Sequence, residues 1–497
     1  MLKTRFLCDF HQLNACKSGK LEAMKWLLIS LLSLCLLACK PTQTETEIKF
    51  AIAQAPLNLD PRYATDAASE RVNRLLYQPL VGFDAASKPT SVLASWQVVD
   101  GRQYRFTLIK NRAPFHNNAP LNAADVKATY DSFQTLKDSP LTAEFANIDN
   151  IKVETDDTLL FTLKQADNHF PAKLIIGILP KNLVESNHDF SHNPVGNGAI
   201  EFVSWDNKLK LARVKDGLKI SLQEVKDPTV RVLKLLRGEV DLLQGDLPPE
   251  LVKYLQSQPE ISVKSSAGAN FSYLGLNFQD PLLNQLKVRQ AIAHAINRPE
   301  IIQKVMVTNT REANMILPPE HYAGNANLEP YTYNPVLARA LLSEAGVKLP
   351  LKLVYKTSTD AQRVRFATIM QAQMAAAGIE LEIRSLDWGT FFADVKAGNF
   401  QLCGLTWVGI KTPEIYSKAF GSQNFPPNGF NRGRYADAEL DNLLAEDNWQ
   451  MATLRIHNEL PYIPLWYEGQ FAAFGKNISN YAPKPDGNWD DLVTITR

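Results

Sequence analysis

The chain predicts an α/β protein, and three observations carry that reading. Leu351 to Tyr355 alternates as a strand, Asp360 to Ala377 has helical spacing stopped by Gly378, and Ile379 to Leu386 alternates again. That is a strand–helix–strand unit, the mark of layered α/β structure. Asp227 to Leu243 reads as a helix, a glycine stop at Gly238 and a strand, with Val230, Leu233 and Leu236 as the buried face. Phe271 to Asn277 alternates, and Lys287 to Arg298 follows as a helix with Val288, Ala291, Ile292 and Ala295 on one face.

From the start of the chain, each further element has its own signal. Met24-Lys25 precedes an apolar run from Trp26 to Ala38, too short to span a bilayer and right for the core of a signal peptide. Residues 1–23 lie upstream of that basic start and lack an apolar core, so they read as a spurious extension of a signal peptide covering 1–38. Leu36-Leu37-Ala38-Cys39 resembles a bacterial lipobox, which implies cleavage before Cys39, a lipid on Cys39 and a polar tether over 39–47. Cys8, Cys16 and Cys35 precede the cut. Cys403 is then alone, with no disulfide framework and no zinc spacing, and is expected to be buried.

Asp60-Pro61 favours an extended or turn dipeptide, where a strand is expected to end. Asp100-Gly101, between Trp96–Val99 and Tyr104–Leu108, predicts a hairpin with a type I′ turn. Asn122 and Asp125 open a helix with Val126, Tyr130 and Phe133 on one face. Ile151 to Leu163 is a further strand–turn–strand. Pro194-Val-Gly-Asn-Gly198 turns into a strand from Glu201 to Trp205, and no Lys-Ser/Thr follows to make it a phosphate cradle. Asn334-Pro335 opens a helix closed by Gly346. Phe400 to Trp407 reads as a strand running into a glycine-bearing loop that ends at Pro413.

Several of these pieces, in this order, resemble the large extracytoplasmic solute-binding proteins of ABC transporters, family 5, the peptide- and nickel-binding type. They are Leu-Asn-Leu-Asp-Pro61, Leu-Leu-Tyr-Gln-Pro79, Asp100-Gly101, Pro-Phe-His116, Asn-Ala-Ala-Asp125, the 194–198 turn, Gly238-Glu-Val-Asp241, Val288-Arg-Gln-Ala291 and Pro461-Tyr-Ile-Pro464. The resemblance covers about 430 residues from Ile48. It implies a periplasmic-binding-protein type II fold with two large α/β lobes, a smaller inserted domain and a hinge of two crossing strands. Lobe I would take 48–78, 190–268 and 469–497, the small domain 79–189, and lobe II 269–468. It further implies a monomeric, non-enzymatic solute receptor, periplasmic and lipid-anchored, with ABC permease subunits as partners and no cofactor. The stretch from Asp437 to Glu459 is about ten residues shorter than the family pattern, which puts the helix pairing there in question.

The ligand-binding residues the resemblance implies are Thr65, Asn270, Tyr273, Thr406, Trp407, Ile410 and Lys411. In peptide-binding members an Asp three residues after this Trp holds the peptide's α-ammonium group; here that position is Ile410. Free dipeptides and tripeptides are therefore expected to bind poorly. The spacing from Trp407 to Pro413 fits the nickel-type members better. Lys411 faces either an anionic ligand group or solvent.

Composition narrows the alternatives. The chain has 497 residues, 45% hydrophobic and 21% charged, with net charge +1, so nothing points to nucleic acid. No nucleophile elbow, zinc pair or P-loop occurs. His188 and His192, the one close histidine pair, read as a loop rather than a metal site. An exported glycosidase needs no fixed spacing of its two acids, so a secreted hydrolase remains an alternative. An envelope sensor or non-transport binding lipoprotein of the same fold is another.

Overall fold

Two long strands run side by side through the molecule. Ile261–Leu276 and Tyr462–Gly475 pair antiparallel, from Ile261 opposite Gly475 to Gly275 opposite Tyr462. The structure, a computed structural model, describes residues 47–497 apart from 65, 85–86, 137–138, 140, 307–308 and 427–428. The expected signal peptide and Cys39 lie outside the described residues, as does Thr65. From Ile48 to Arg497 the chain forms one compact unit.

The first of these strands is longer than its alternating portion, Phe271 to Asn277, predicts. Its opening half, Ser-Val-Lys-Ser-Ser-Ala-Gly-Ala, has small and polar residues and no clear pattern. That half is held in the sheet by pairing with Glu468–Gly475 rather than by its own apolar alternation. The register slips between Ser266 and Asn270, where extra residues bulge out. Within the slip lies Gly268, where an added Cβ would sit 1.5 Å from the Glu468 carbonyl oxygen.

These strands are the middle of an eleven-stranded sheet. On one side follow Leu402–Trp407, Leu351–Ser358 and Ile379–Leu386; on the other, Leu242–Gln244, Glu47–Ile52, Lys219–Glu224, Leu209–Arg213 and Ile200–Trp205; the short strand Arg311–Glu312 pairs with the second long strand off this path. The expected strand–helix–strand unit is present. Asp360 caps the helix Ala361–Ala375 by accepting from the Arg363 amide, Met370 and Met374 face the sheet, and Gly378 at φ 77° turns the chain into the next, parallel strand. On the other side the helix Ala67–Leu76 buries Val72, Leu75 and Leu76 with Ile48 and Phe50. Fully burying one such side chain contributes roughly 1.5–3 kcal/mol.

A separate four-stranded antiparallel sheet has its own core. Phe106, Phe161, Tyr130 and Phe145 meet there edge to face. Its helix Ala123–Ser132 opens with the expected cap: Asn122 and Asp125 each accept from the other's end of the first turn. The turn Pro194–Gly198 packs flat on the end of the Ala67–Leu76 helix. Any Cβ at Gly196 or Gly198 would strike the Leu76 or Leu75 carbonyl.

Four expectations are corrected. The Asp100-Gly101 hairpin forms, but neither Gly101 nor Arg102 has positive φ, so its turn is not type I′. The Asp100 carboxylate accepts from the Arg102 amide at 2.7 Å, and a bulge between Val98 and Asp100 absorbs the twist instead. No strand ends at Asp60-Pro61, since the first strand stops at Ile52. The Asp60 carboxylate there turns the chain by binding both the Arg62 amide and its guanidinium. In the helix Pro228–Leu236, Val230 and Leu233 face solvent, and the buried face is Arg231, Val232 and Leu235. The Arg231 guanidinium donates to the carbonyls of Val225 and Lys226, which rotates the helix. The short stretch before Glu459 still makes two adjacent helices, Ala438–Ala445 and Trp449–Glu459.

Among the described residues no helix is long and apolar enough to cross a membrane, and no cluster of His, Cys, Asp or Glu is placed to hold a metal. Cys403 is free and buried, and burial pushes its thiol up to about 12.

Candidate functional site

Three parallel strands, Leu351–Ser358, Ile379–Leu386 and Leu402–Trp407, end at one edge of the sheet. Ligands of open α/β sheets bind outside such carboxyl ends. Trp407 ends one of these strands. Trp388 opens the helix Trp388–Ala397 just after another, with Asp387 as its cap.

Side chains alternate along a strand, so Thr406 and Trp407 face opposite ways. Trp407 lies on the face of Tyr273. Their rings are stacked at 6.4 Å and 16°, and Tyr273 in turn stacks on Tyr462 at 4.0 Å. Phe430 meets Trp407 edge-on at 6.1 Å. The Arg432 guanidinium sits over Trp407, 4.8 Å from its centre, with Phe392 and Phe430 also within 6 Å. Trp388, 52% exposed, stacks on Phe392 at 5.3 Å. The result is an aromatic platform with one cation in it.

Thr406 belongs to a second cluster on the opposite face. Its Oγ1 lies 2.8 Å from Ser272 Oγ, and both hydroxyls lie against Glu468, Ser272 donating to Oε1 at 2.6 Å. Glu468 sits beside Gly268 at the strand slip, its carboxylate facing the two hydroxyls.

The loop after Trp407 is tied down at both ends. Gly409, at φ 68°, donates its amide to Asn270 Oδ1 at 3.2 Å. The Lys411 carbonyl accepts from His321 Nε2 at 3.0 Å. Burial lowers the His321 imidazole, and its Nδ1 accepts from the Ala323 amide, so the ring is held neutral. Ile410 is half-buried and packs toward the core of Tyr273, Ile415 and Tyr416. Lys411 faces neither a free pocket nor open solvent. Its ammonium lies 2.6 Å from Asp486, in the segment after the second long strand. Burial alone would raise the Asp486 carboxyl; the Lys411 charge and hydrogen bond outweigh it and hold the carboxyl below its ordinary value.

Asp486 also feels the charge of Arg74, on the helix Ala67–Leu76. Arg74 pairs with Asp490 at 3.0 Å. Glu70 has an exposed side chain, yet protein crowds it, and burial raises its carboxyl from 4.5 to about 7, with Asp66 adding to the rise and Arg74 opposing it. A raised carboxyl favours folding while protonated in the fold, so its contribution is full below about 4.5. It declines as pH rises through 7 and then levels off. Glu70→Gln is therefore expected to leave stability unchanged at pH 4 and to raise it at pH 8. After solvent screening the gain should be no more than about 1 kcal/mol. Denaturant titration at the two pH values checks it; an equal effect at both would contradict the raised carboxyl.

Of the residues singled out from sequence, Tyr273, Trp407 and Ile410 come together, and Asn270 and Lys411 brace their loop. Thr406 turns away to Glu468, and Thr65 lies outside the described residues. Sequence reading missed Arg432, Phe392, Trp388 and Glu468. The first three lie within 50 residues of Trp407 but belong to other elements, and only the fold gathers them. Trp388 carried one signal, an aromatic directly after a strand and beside the cap residue Asp387.

The comparisons agree with this architecture. A glutathione-binding protein, GsiB of Salmonella typhimurium, is 29% identical over 494 residues, covering 90% of this chain and 94% of the relative. NikZ from Campylobacter jejuni, solved with Ni(L-His), superposes with a TM-score of 0.77 at 20% identity, covering 91% of this chain and 100% of that one. DppA from Helicobacter pylori, solved with the peptide STSA, gives 0.75 at 24% identity, covering 90% and 97%. The fold is the periplasmic-binding-protein type II fold. The family model for bacterial extracellular solute-binding proteins, family 5 Middle, matches residues 86–425, more than half of the chain. The chain with its aromatic platform at the carboxyl edge of the sheet thus belongs to the family 5 bacterial extracellular solute-binding proteins.

Proposed function

We propose that this protein is the lipid-anchored solute receptor of an ABC importer, taking up a peptide or peptide-like solute and handing it to the permease without chemical change. The solute would lie between lobe I (48–78, 190–268, 469–497) and lobe II (269–468), with 79–189 as the small inserted domain. The single observation that carries this is the Trp407–Tyr273 stack at the end of the parallel strands, followed by a loop tied to Asp486 in the other lobe. A broad aromatic face suits solutes whose side chains vary. Support comes from relatives described as binding glutathione or solved with a peptide.

Native mass spectrometry of the purified mature protein tests the reading. A co-purifying peptide-like mass, released on unfolding, is the expected result. A protein that arrives empty and shows no mass shift with any peptide-like compound would overturn it.

The anchor is testable by itself. Cys39→Ser is expected to release a soluble or an uncleaved form, because the diacylglyceryl chains on that Cys supply the membrane affinity through their buried methylenes. Unchanged fractionation of Cys39→Ser would remove the lipobox from the account.

A further inference from the structure

We propose that Arg432 is the anion anchor of the solute site, so that the solute presents a carboxylate to it; this rests on the reading of that platform as the solute site.

The guanidinium is pre-set. Three rings, Trp407, Phe392 and Phe430, hold it at 4.8, 5.2 and 5.6 Å. Aromatic faces attract a cation and fix its plane, while leaving its N–H edge free to form in-plane bonds. That edge is barely used. Its one side-chain hydrogen bond is long, from Nη1 to the Tyr273 hydroxyl at 3.4 Å. Among the described residues no carboxylate forms an ion pair with it. Several other buried or half-buried arginines spend that edge: Arg62, Arg213 and Arg455 on an Asp at 2.7–2.8 Å, Arg231 and Arg298 on backbone carbonyls.

The surroundings add positive charge. Lys396 lies 5.3 Å over Phe392, the same ring that Arg432 contacts, and it too has no ion pair among the described residues. Phe430, 47% exposed, and Trp388, 52% exposed, present apolar surface beside it. Ile410, on the adjoining loop, brings no charge that would compete for the guanidinium. A planar carboxylate matches the guanidinium edge with two parallel bonds, and the exposed rings can carry the apolar part of the same molecule. A structural clamp alone would explain the ring contacts, but it would not make the protein distinguish an acid from its amide.

That distinction is the test. The mature full chain is titrated calorimetrically with N-acetylated dipeptides and with glutathione, each beside its C-terminal amide (the diamide for glutathione). Acids are expected to bind at least about tenfold more tightly than their amides. Arg432→Gln should reduce that ratio to near one, Arg432→Lys should keep part of it, and added salt should weaken only the acids. Unchanged thermal unfolding of both variants shows that the fold is intact. Equal binding of acids and amides by the wild type would overturn the anchor while leaving the solute site in place. So would an acid preference that survives Arg432→Gln. Binding of neither acids nor amides would overturn the solute-site reading, and the anchor with it.

Discussion

Gly268→Ala is expected to destabilise the protein by about 3 kcal/mol, at the upper end of ordinary overpacking. The added methyl would occupy space held by the Glu468 carbonyl carbon and oxygen, 2.3 and 1.5 Å away. Neither backbone can retreat cheaply. The Ala269 amide donates to Pro485 at 3.0 Å, and the Gly469 amide donates to the buried Thr310 hydroxyl at 2.9 Å. Moving either strand leaves one of these polar groups without a partner. Denaturant unfolding measures the loss. A midpoint equal to wild type would mean that the strand slip repacks freely and that the close approach constrains nothing.

Trp407→Ala should cost the solute roughly 2–4 kcal/mol of affinity, a loss of about 30-fold to 1,000-fold. The ring is the centre of the platform: Tyr273, Phe430 and Arg432 all touch it. Its removal takes away apolar contact and releases the guanidinium it orients. Calorimetry with a peptide library on wild type and variant reads the effect. Unmodified peptides should bind weakly to the wild type, since Ile410 offers no carboxylate to an α-amine, and Ile410→Asp should strengthen them. Micromolar binding of free peptides, unaffected by Trp407→Ala, would place the solute elsewhere.

Local signals showed most of the elements. Asn122 and Asp125 cap a helix as their spacing requires, and Gly378 stops one where the alternation resumes. Failures came where a buried polar group overrides a pattern. Arg231 turns its helix by seeking carbonyls, so that Val230 and Leu233 face water. Asp100 replaces the turn that Asp-Gly predicts by capping Arg102. The site was legible only in part, for a related reason. Trp407 and Tyr273 lie on paired strands, and alternation places them on one face. Arg432 reaches Trp407 from a loop 25 positions later, and Phe392 from a helix before it. No periodicity links these elements, so their meeting depends on how the sheet edge is covered. Lys411 illustrates the same limit, because its partner Asp486 is brought in by the last segment of the chain.

On the proposed closure of the two lobes, the slip between Ser266 and Asn270 would set a scale for length. Each long strand continues for five or six residues beyond it, ~20 Å at the usual rise. Rotating one half against the other about that point moves the strand ends by ~0.3 Å per degree. An extended peptide lengthens by ~3.5 Å with each residue. About ten degrees of rotation would therefore accommodate one residue more or less. Solutes of different length would differ, for this protein, in angle rather than in packing.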